Sequence, residues 1–488
     1  MANLPPKIRG TVFLAIALLA LAVRLPRLGE RPMHTDEAVN AYIVGQLLAG
    51  DAYHYDPQDR HGPVLYAIAW PIARLAGAKT FSELTEASVR IGPVIIGALA
   101  VLLFAAFATQ IGFPSAAVAA LFYAISPLFV YYSRDFIHET FFITATLAAI
   151  VSGFRLLEKA SIRNGILFGV STGFMLACKE TAVIHFAAFG IAALAWPGIL
   201  RRREQKDFAG AMKSALAALA SFCLVLVIFY TWGGSHVRGL WDLMRAVPNF
   251  TARAGGQGHE KPAWYYFVLL GGGWSGAILL ALAALGALSR KVAYPNALRV
   301  LVVYTIAIIL LYSAIPYKTP WLALNLCLPI ILLAGIGIVS VCGLAQGKSL
   351  VLGIAVGTIL ICGLCHDTWR RVFFDPTGER NPYAYAQTVE DVARLPIRIK
   401  QLAAASHHEL RIAVIAADPW PLPWYLREFP QVGFWQPDQF PAGFDLYITS
   451  PEAATTGPQL TAWRPEFFGI RPEVLVVLWQ PPVPEERQ

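Results

Sequence analysis

The chain has 488 residues, of which 56% are hydrophobic and only 14% charged, and its mean hydropathy is +0.54. Soluble domains carry nearer a quarter charged residues, so this composition excludes an ordinary soluble globule and points to many membrane spans. A net charge of +8 would suggest nucleic acid if it gathered on one soluble face, but the basic residues sit on loops between apolar runs, so no nucleic-acid partner is expected.

The chain opens with a basic start and an apolar stretch, "MANLPPKIRGTVFLAIALLALAV", followed by "RLPRLGERP". With no small-residue cleavage site there, it reads as a retained first helix. Apolar stretches near spanning length follow. We place eleven spans at 10–29, 91–109, 115–132, 139–157, 165–179, 181–197, 212–231, 264–288, 300–316, 321–344 and 349–365. The stretch 165–179 is too brief to cross upright. All six cysteines (178, 223, 327, 342, 362 and 365) lie in or at the ends of these runs, as buried small hydrophobes do.

With the N-terminus in the cytoplasm, the inner segments hold fourteen basic residues, including "RRREQK" and "SRKVAYPNALR", against Glu158, Glu204 and Asp207. That is the positive-inside pattern, so a multi-pass protein of the inner (plasma) membrane is expected. The outer face then receives a long loop, 30–90, and the short links "YSRDFIHET", "CKET" and "YKTPW". It also receives the loop 232–263 and the tail from 366 onward. Acids and bases from five separate loops converging on one face suit an extracytoplasmic active site, whereas a lone charge at a helix mouth is commonly an interface anchor.

In "RPMHTDEAVN" (31–40), Thr35 is placed to cap a helix with Asp36 and Glu37 in its first turn, where acids favour the dipole. Val39, Tyr42, Ile43 and Leu47 then give an apolar face suited to a bilayer surface. "DRHGPVLYAIAWPIARLAG" reads as a second surface helix or one that dips into the membrane. "CGLCH" (362–366) has the spacing of a c-type haem attachment, and we read it as coincidence on a lipid-facing helix end. In the tail, "RIAVIAA", "FDLYITS" and "EVLVVLW" read as strands and "ARLPIRIKQLAAA" as a helix. The expected organisation is a membrane domain over 1–365 and an extracytoplasmic α/β domain over 366–488. "DPWPLPWYLREF" starts where the first strand ends. Its Trp420, Trp424 and Tyr425 suit stacking on a sugar, domain core or membrane contact alike.

The order of "HTDEAVNAY", "DRHGP", "ASVRIGPVIIGALAVLLF", "SRDFIHET", "KTPWL" and "DPWPLPWYLR" resembles the polyprenyl-phosphate-sugar-dependent glycosyltransferases of the C superfamily. Within it the chain is similar to the protein O-mannosyltransferases and the aminoarabinose transferases of lipid A. It is most similar to the flippase-activity-associated membrane proteins of archaeal-type glycosylation. The resemblance implies a polytopic α-helical fold of the C type, a polyprenyl-phosphate sugar donor, and a lipid, glycan or protein acceptor. It implies an acid of the first loop as general base, for which we take Asp36, with Glu37 orienting substrate or binding a cation. Arg134, Lys179, Arg90 and Lys318 are the expected donor-phosphate ligands. His34, His61, Asp135, His138, Glu139, Trp420 and Trp424 are the expected substrate contacts. Relatives often have Lys-Pro-Pro where this chain has His61-Gly62-Pro63, so a lysine role is not carried over. No cofactor is expected to be required. A divalent cation held by His34, Asp36, Asp135, His138 and Glu139 is the one alternative, and some relatives use one. The competing reading is a non-catalytic transport or flippase accessory. Transporters place polar groups near the midplane, while here the ionisable groups crowd one edge, which favours the enzyme.

Overall fold

A computed structural model describes residues 5–197, 208–256, 258–289, 294–343, 348–406, 408–456 and 460–482. "RRREQK", Arg290 and Lys291 lie outside the described residues. By packing, the chain forms two compact units. One comprises Met1–Pro26, Ala52–Ala69 and Arg90–Phe374, and the other Arg27–Asp51, Trp70–Val89 and Asp375–Gln488.

The first unit is helical. Each of the eleven apolar stretches forms helix, but a count of eleven spans does not follow. Among the described residues seven helices are long and apolar enough to cross a membrane: Pro6–Arg24, Glu86–Ile111, Glu139–Glu158, Ala209–Tyr230, Pro295–Ala314, Pro320–Cys342 and Leu350–Phe374. An eighth is reached if Tyr265–Gly271 and Trp274–Ala287 count as one, although they bend by 108° at the "GGG" between them. Phe113–Ile125, Ile162–Cys178 and Ala182–Leu194 are apolar but short, at 13, 17 and 13 residues against the roughly 20 a bilayer requires.

Close helix approach comes from small residues. Gly165, Gly169 and Gly173 recur every fourth residue along Ile162–Cys178 and lie against the helix Phe208–Tyr230. A Cβ at Gly165 or Gly169 would run into the carbonyl oxygens of Ser214 or Ala218, and one at Gly173 into the Val225 side chain. Ser221 bonds across this seam to the Ile166 carbonyl at 3.2 Å.

Helix ends sort to two sides of this unit. At one side Thr140 bonds the Tyr132 carbonyl, and the Tyr132 and Trp321 rings meet at 6.4 Å. With the Lys179–Glu139 ion pair, these contacts bring the links 132–140, 178–181 and 315–321 together. At the other side Arg155 bonds the Ala106 carbonyl (3.0 Å) and Gln110 bonds Glu158 (3.1 Å). The 20-residue helix Glu139–Glu158 separates the two sides by about 30 Å.

The second unit carries a five-stranded sheet: β1 (Ile412–Ile415), β2 (Val432–Trp435), β3 (Leu446–Thr449), β4 (Arg464–Arg471) and β5 (Val474–Gln480), in the order β2-β1-β3-β5-β4. β1 runs parallel to both neighbours, while β5 is antiparallel to β3 and β4. β1 and β3 are buried at every residue, which is why their sequences, IAVI and LYIT, are apolar but for Thr449. The expected strands and the helix Arg394–Ala405 are present, and β2 and β4 are additional. The last apolar helix of the first unit runs on to Phe374, and the second unit takes up the chain again at Asp375.

Candidate active site

In the second unit the helix Thr35–Ala49 begins with a capping box whose N-cap is His34, rather than the expected Thr35. The Asp36 amide donates to His34 Nδ1 (3.1 Å), and the His34 amide donates to Glu37 Oε2 (3.0 Å). Because Nδ1 accepts a hydrogen bond, the ring proton sits on Nε2, which donates to the Tyr385 carbonyl at 3.1 Å. The pair "DE" is therefore split in kind: Glu37 is fully buried with its carboxylate turned back to the cap, while the Asp36 carboxylate is 54% exposed on the first turn. The preceding residues are pinned as well, Met33 by the Tyr425 hydroxyl (2.9 Å) and Pro32 by Gln387 (3.3 Å).

Trp424 is enclosed. Its ring nitrogen donates to Glu86 (2.8 Å), and the Arg427 guanidinium covers its ring face at 3.8 Å. A ring so covered is a packing element, not a platform for a sugar. Trp420 is half-buried, edge-on to Tyr42 at 5.8 Å.

In the first unit the gathered links hold the remaining candidates. Lys179 and Glu139 form an ion pair with both side chains 6% exposed. His138 Nε2 donates to the Gly62 carbonyl (3.0 Å). Burial, with His61 and Lys179 alongside, holds the His138 ring neutral by lowering its pKa well below the usual histidine value. Gly62 is seated by its amide on the Cys178 carbonyl (3.2 Å), and a Cβ there would strike the Ala177 carbonyl, so this position requires glycine. The segment 53–62 is thereby strapped against the end of Ile162–Cys178.

Glu180, which the sequence reading passed over, is the centre of this strap. Its Oε1 accepts from the Tyr55 hydroxyl (3.0 Å), and its Oε2 lies 2.9 Å from His61 Nδ1. Burial pushes the Glu180 carboxyl up to about 7, against the opposing pull of the Tyr55 hydrogen bond, Lys179 and Arg253. His61 stacks on Phe250 (5.7 Å) and meets His138 edge-on (5.4 Å). The available signal was positional: "KE" sits between two apolar helices with no loop long enough to carry both charges into water.

The other cations are buried but differently held. Arg134 donates to the carbonyls of Arg24 and Pro26, the latter at 2.6 Å, and lies over the Phe373 ring at 4.9 Å. Lys318 is 1% exposed with its ammonium on the Ile315 carbonyl, and burial lowers its pKa. Arg90 and Asp135 are buried too. Among the described residues no three His, Cys, Asp or Glu side chains gather to hold a metal ion. Of the candidate ligands, both His34 nitrogens, His138 Nε2 and the Glu139 carboxylate already have protein partners. The donor set does not fit a cation, and no step is derived through one. Cys362, Cys365 and His366 are exposed on the helix Lys348–Thr368, and both cysteines are free thiols.

Residues 60–231 match the family profile described as dolichyl-phosphate-mannose-protein mannosyltransferase. ArnT from Cupriavidus metallidurans bound to undecaprenyl phosphate shares the fold with a TM-score of 0.61 and 15% identity, over 97% of this chain and 98% of that one. The archaeal oligosaccharyltransferase AglB from Archaeoglobus fulgidus, in complex with an inhibitory peptide and a dolichol-phosphate, gives 0.61 and 12% identity, over 95% of this chain and 74% of that one. No curated protein matches significantly in sequence. The chain has the fold of the C-type membrane glycosyltransferases, in agreement with the superfamily that its motifs resemble.

Proposed function

We propose that the protein is an integral-membrane glycosyltransferase that moves a sugar from a polyprenyl-phosphate donor to an extracytoplasmic acceptor. The observation that carries this reading is the set of buried, charged groups gathered at one end of a fold shared with C-type glycosyltransferases. The spans themselves are nearly free of charge.

In this reading the acceptor hydroxyl or amide attacks the anomeric carbon, and Asp36 takes its proton. The bond from the anomeric carbon to the phosphate oxygen breaks with its electron pair on that oxygen, and configuration inverts. The split of the acidic pair supports Asp36: its carboxylate is exposed, whereas that of Glu37 holds the helix start. Arg134, Arg90 and Lys318 balance the departing phosphate, and Lys179 acts there only so far as its pairing with Glu139 allows. His34 fixes the approach to Asp36 and is not itself a proton carrier, since both its nitrogens are engaged. Trp420 offers an aromatic edge to a sugar. The active face lies outside the plasma membrane, with the N-terminus in the cytoplasm.

The test incubates purified protein with radiolabelled polyprenyl-phosphate sugars and cell extract. A labelled lipid, glycan or protein product supports the reading. Labelled lipid that is moved between leaflets or held without transfer overturns it in favour of a transport accessory.

A further inference from the structure

The strap 53–62 contains a proton-bearing arrangement that the expected roles leave unused. Glu180 has one oxygen on the Tyr55 hydroxyl and the other on His61 Nδ1. Its side chain is 10% exposed, while that of His61 is 32% exposed. A carboxylate on Nδ1 does two things to an imidazole: it fixes Nδ1–H, so that Nε2 becomes the exchanging nitrogen, and it stabilises the charged ring. Resting on the reading above, we infer that Glu180 is the positioning residue of a histidine–carboxylate dyad through which His61 gives a proton to the departing lipid phosphate.

The step balances. His61 begins as imidazolium. As the anomeric carbon–oxygen bond breaks and its electron pair settles on the phosphate, the Nε2 proton passes to a phosphate oxygen. The ring keeps its Nδ1–H on Glu180, the acceptor's proton goes to the general base, and solvent reprotonates Nε2. A histidine here offers charge together with a transferable proton near neutral pH.

The surroundings suit that role. Lys179 is paired with Glu139 and still draws the Glu180 carboxyl down, though less than burial raises it. His138 faces His61 but is held neutral by its burial, against the pull of its hydrogen bond to the Gly62 carbonyl. Tyr53 from the strap and Tyr230 from Phe208–Tyr230 face Glu180, and burial keeps the Tyr53 phenol protonated. Cys178 also faces it. Arg253, from the helix Gly239–Arg253, is the remaining cation acting on Glu180. Burial raises the Glu180 carboxyl to about 7, so near neutral pH the one proton between Glu180 and His61 belongs to the pair across their 2.9 Å contact rather than to either group.

The experiment follows transfer rate against pH from about 5.5 to 9 for the full chain in lipid nanodiscs with a polyprenyl-phosphate sugar donor. It compares wild type, Glu180→Gln, Glu180→Asp and His61→Gln. Wild type should decline above neutral pH. Glu180→Gln keeps an acceptor for Tyr55 and for Nδ1–H but removes the charge. Its decline should therefore start about one pH unit lower, giving about a tenfold loss at pH 7.5 and near-wild-type turnover at pH 5.5, with donor KM little changed. Glu180→Asp should restore part of the limb, and His61→Gln should be slow throughout with no limb. A limb unmoved in Glu180→Gln, or present in His61→Gln, overturns the inference while wild-type transfer leaves the enzyme reading intact. Should Glu180→Gln not fold, the limb in Glu180→Asp and His61→Gln decides. Absence of transfer by wild type itself overturns both readings.

Discussion

Lys179 and Glu139, forty residues apart and on different helix ends, form an ion pair that is almost wholly withdrawn from solvent. Removing one partner leaves the other charge buried without its counter-ion. Lys179→Met or Glu139→Gln should each cost about 3–5 kcal/mol, read as a fall in thermal midpoint in detergent. The double substitution should cost clearly less than the two singles together. If both singles unfold like wild type, the pair does not hold the 178–181 link in place, and Lys179 becomes a simple phosphate ligand again.

Asp36 and Glu37 should separate by assay. Asp36→Asn retains shape and the amide bond to His34, so stability holds while transfer falls at least about a hundredfold. Glu37→Gln weakens the capping box instead, costing about 1 kcal/mol of stability with a smaller effect on turnover. Reversed results would move the base to Glu37.

Glu180 should also be visible in stability alone. A carboxyl whose folded pKa, about 7, lies above its model value of 4.5 binds its proton more tightly in the folded chain. Its contribution is fully present below about 4.5 and is lost as pH rises towards about 7, to a limit of about 3 kcal/mol. Wild type should therefore lose thermal stability over that interval, and Glu180→Gln should flatten this part of the profile. Identical profiles would place Glu180 in an ordinary, water-exposed setting.

Single cysteines in a cysteine-free chain test the orientation. One at Lys159 should react with an impermeant maleimide only after cells are opened, and one at Arg238 in intact cells. The opposite result would put the gathered charges in the cytoplasm and remove the basis for a lipid-phosphate donor on the outer face.

How much of this was legible depends on where the information lies. Buried strands announce themselves, because β1 and β3 need apolar residues on both faces. β2 and β4 border the sheet with partly exposed residues and leave no such run. Helices were legible from hydropathy, but span number was not. The shortness of 165–179 was visible, but hydropathy does not report that Ala182–Leu194 falls short of a bilayer, or that the glycines at 271–273 turn one stretch through 108°. At the site the acidic pair was found but its division of labour was not, since that depends on which carboxylate folds back to the His34 amide. Glu180 escaped because the partners of its carboxylate, Tyr55 and His61, come from a segment far away along the chain.

The glycine seam along Ile162–Cys178 sets a mechanical tolerance for all of this. With backbone lying on backbone, the gap to Phe208–Tyr230 has no side-chain slack to absorb added volume, and the same helix delivers the 178–180 link at its end. A single methyl at Gly169 would meet the Ala218 carbonyl and the Ser221 hydroxyl, wedge the two rods apart and tip that end. The alignment of the proton-handling groups is thus gauged by the thickness of two polypeptide backbones.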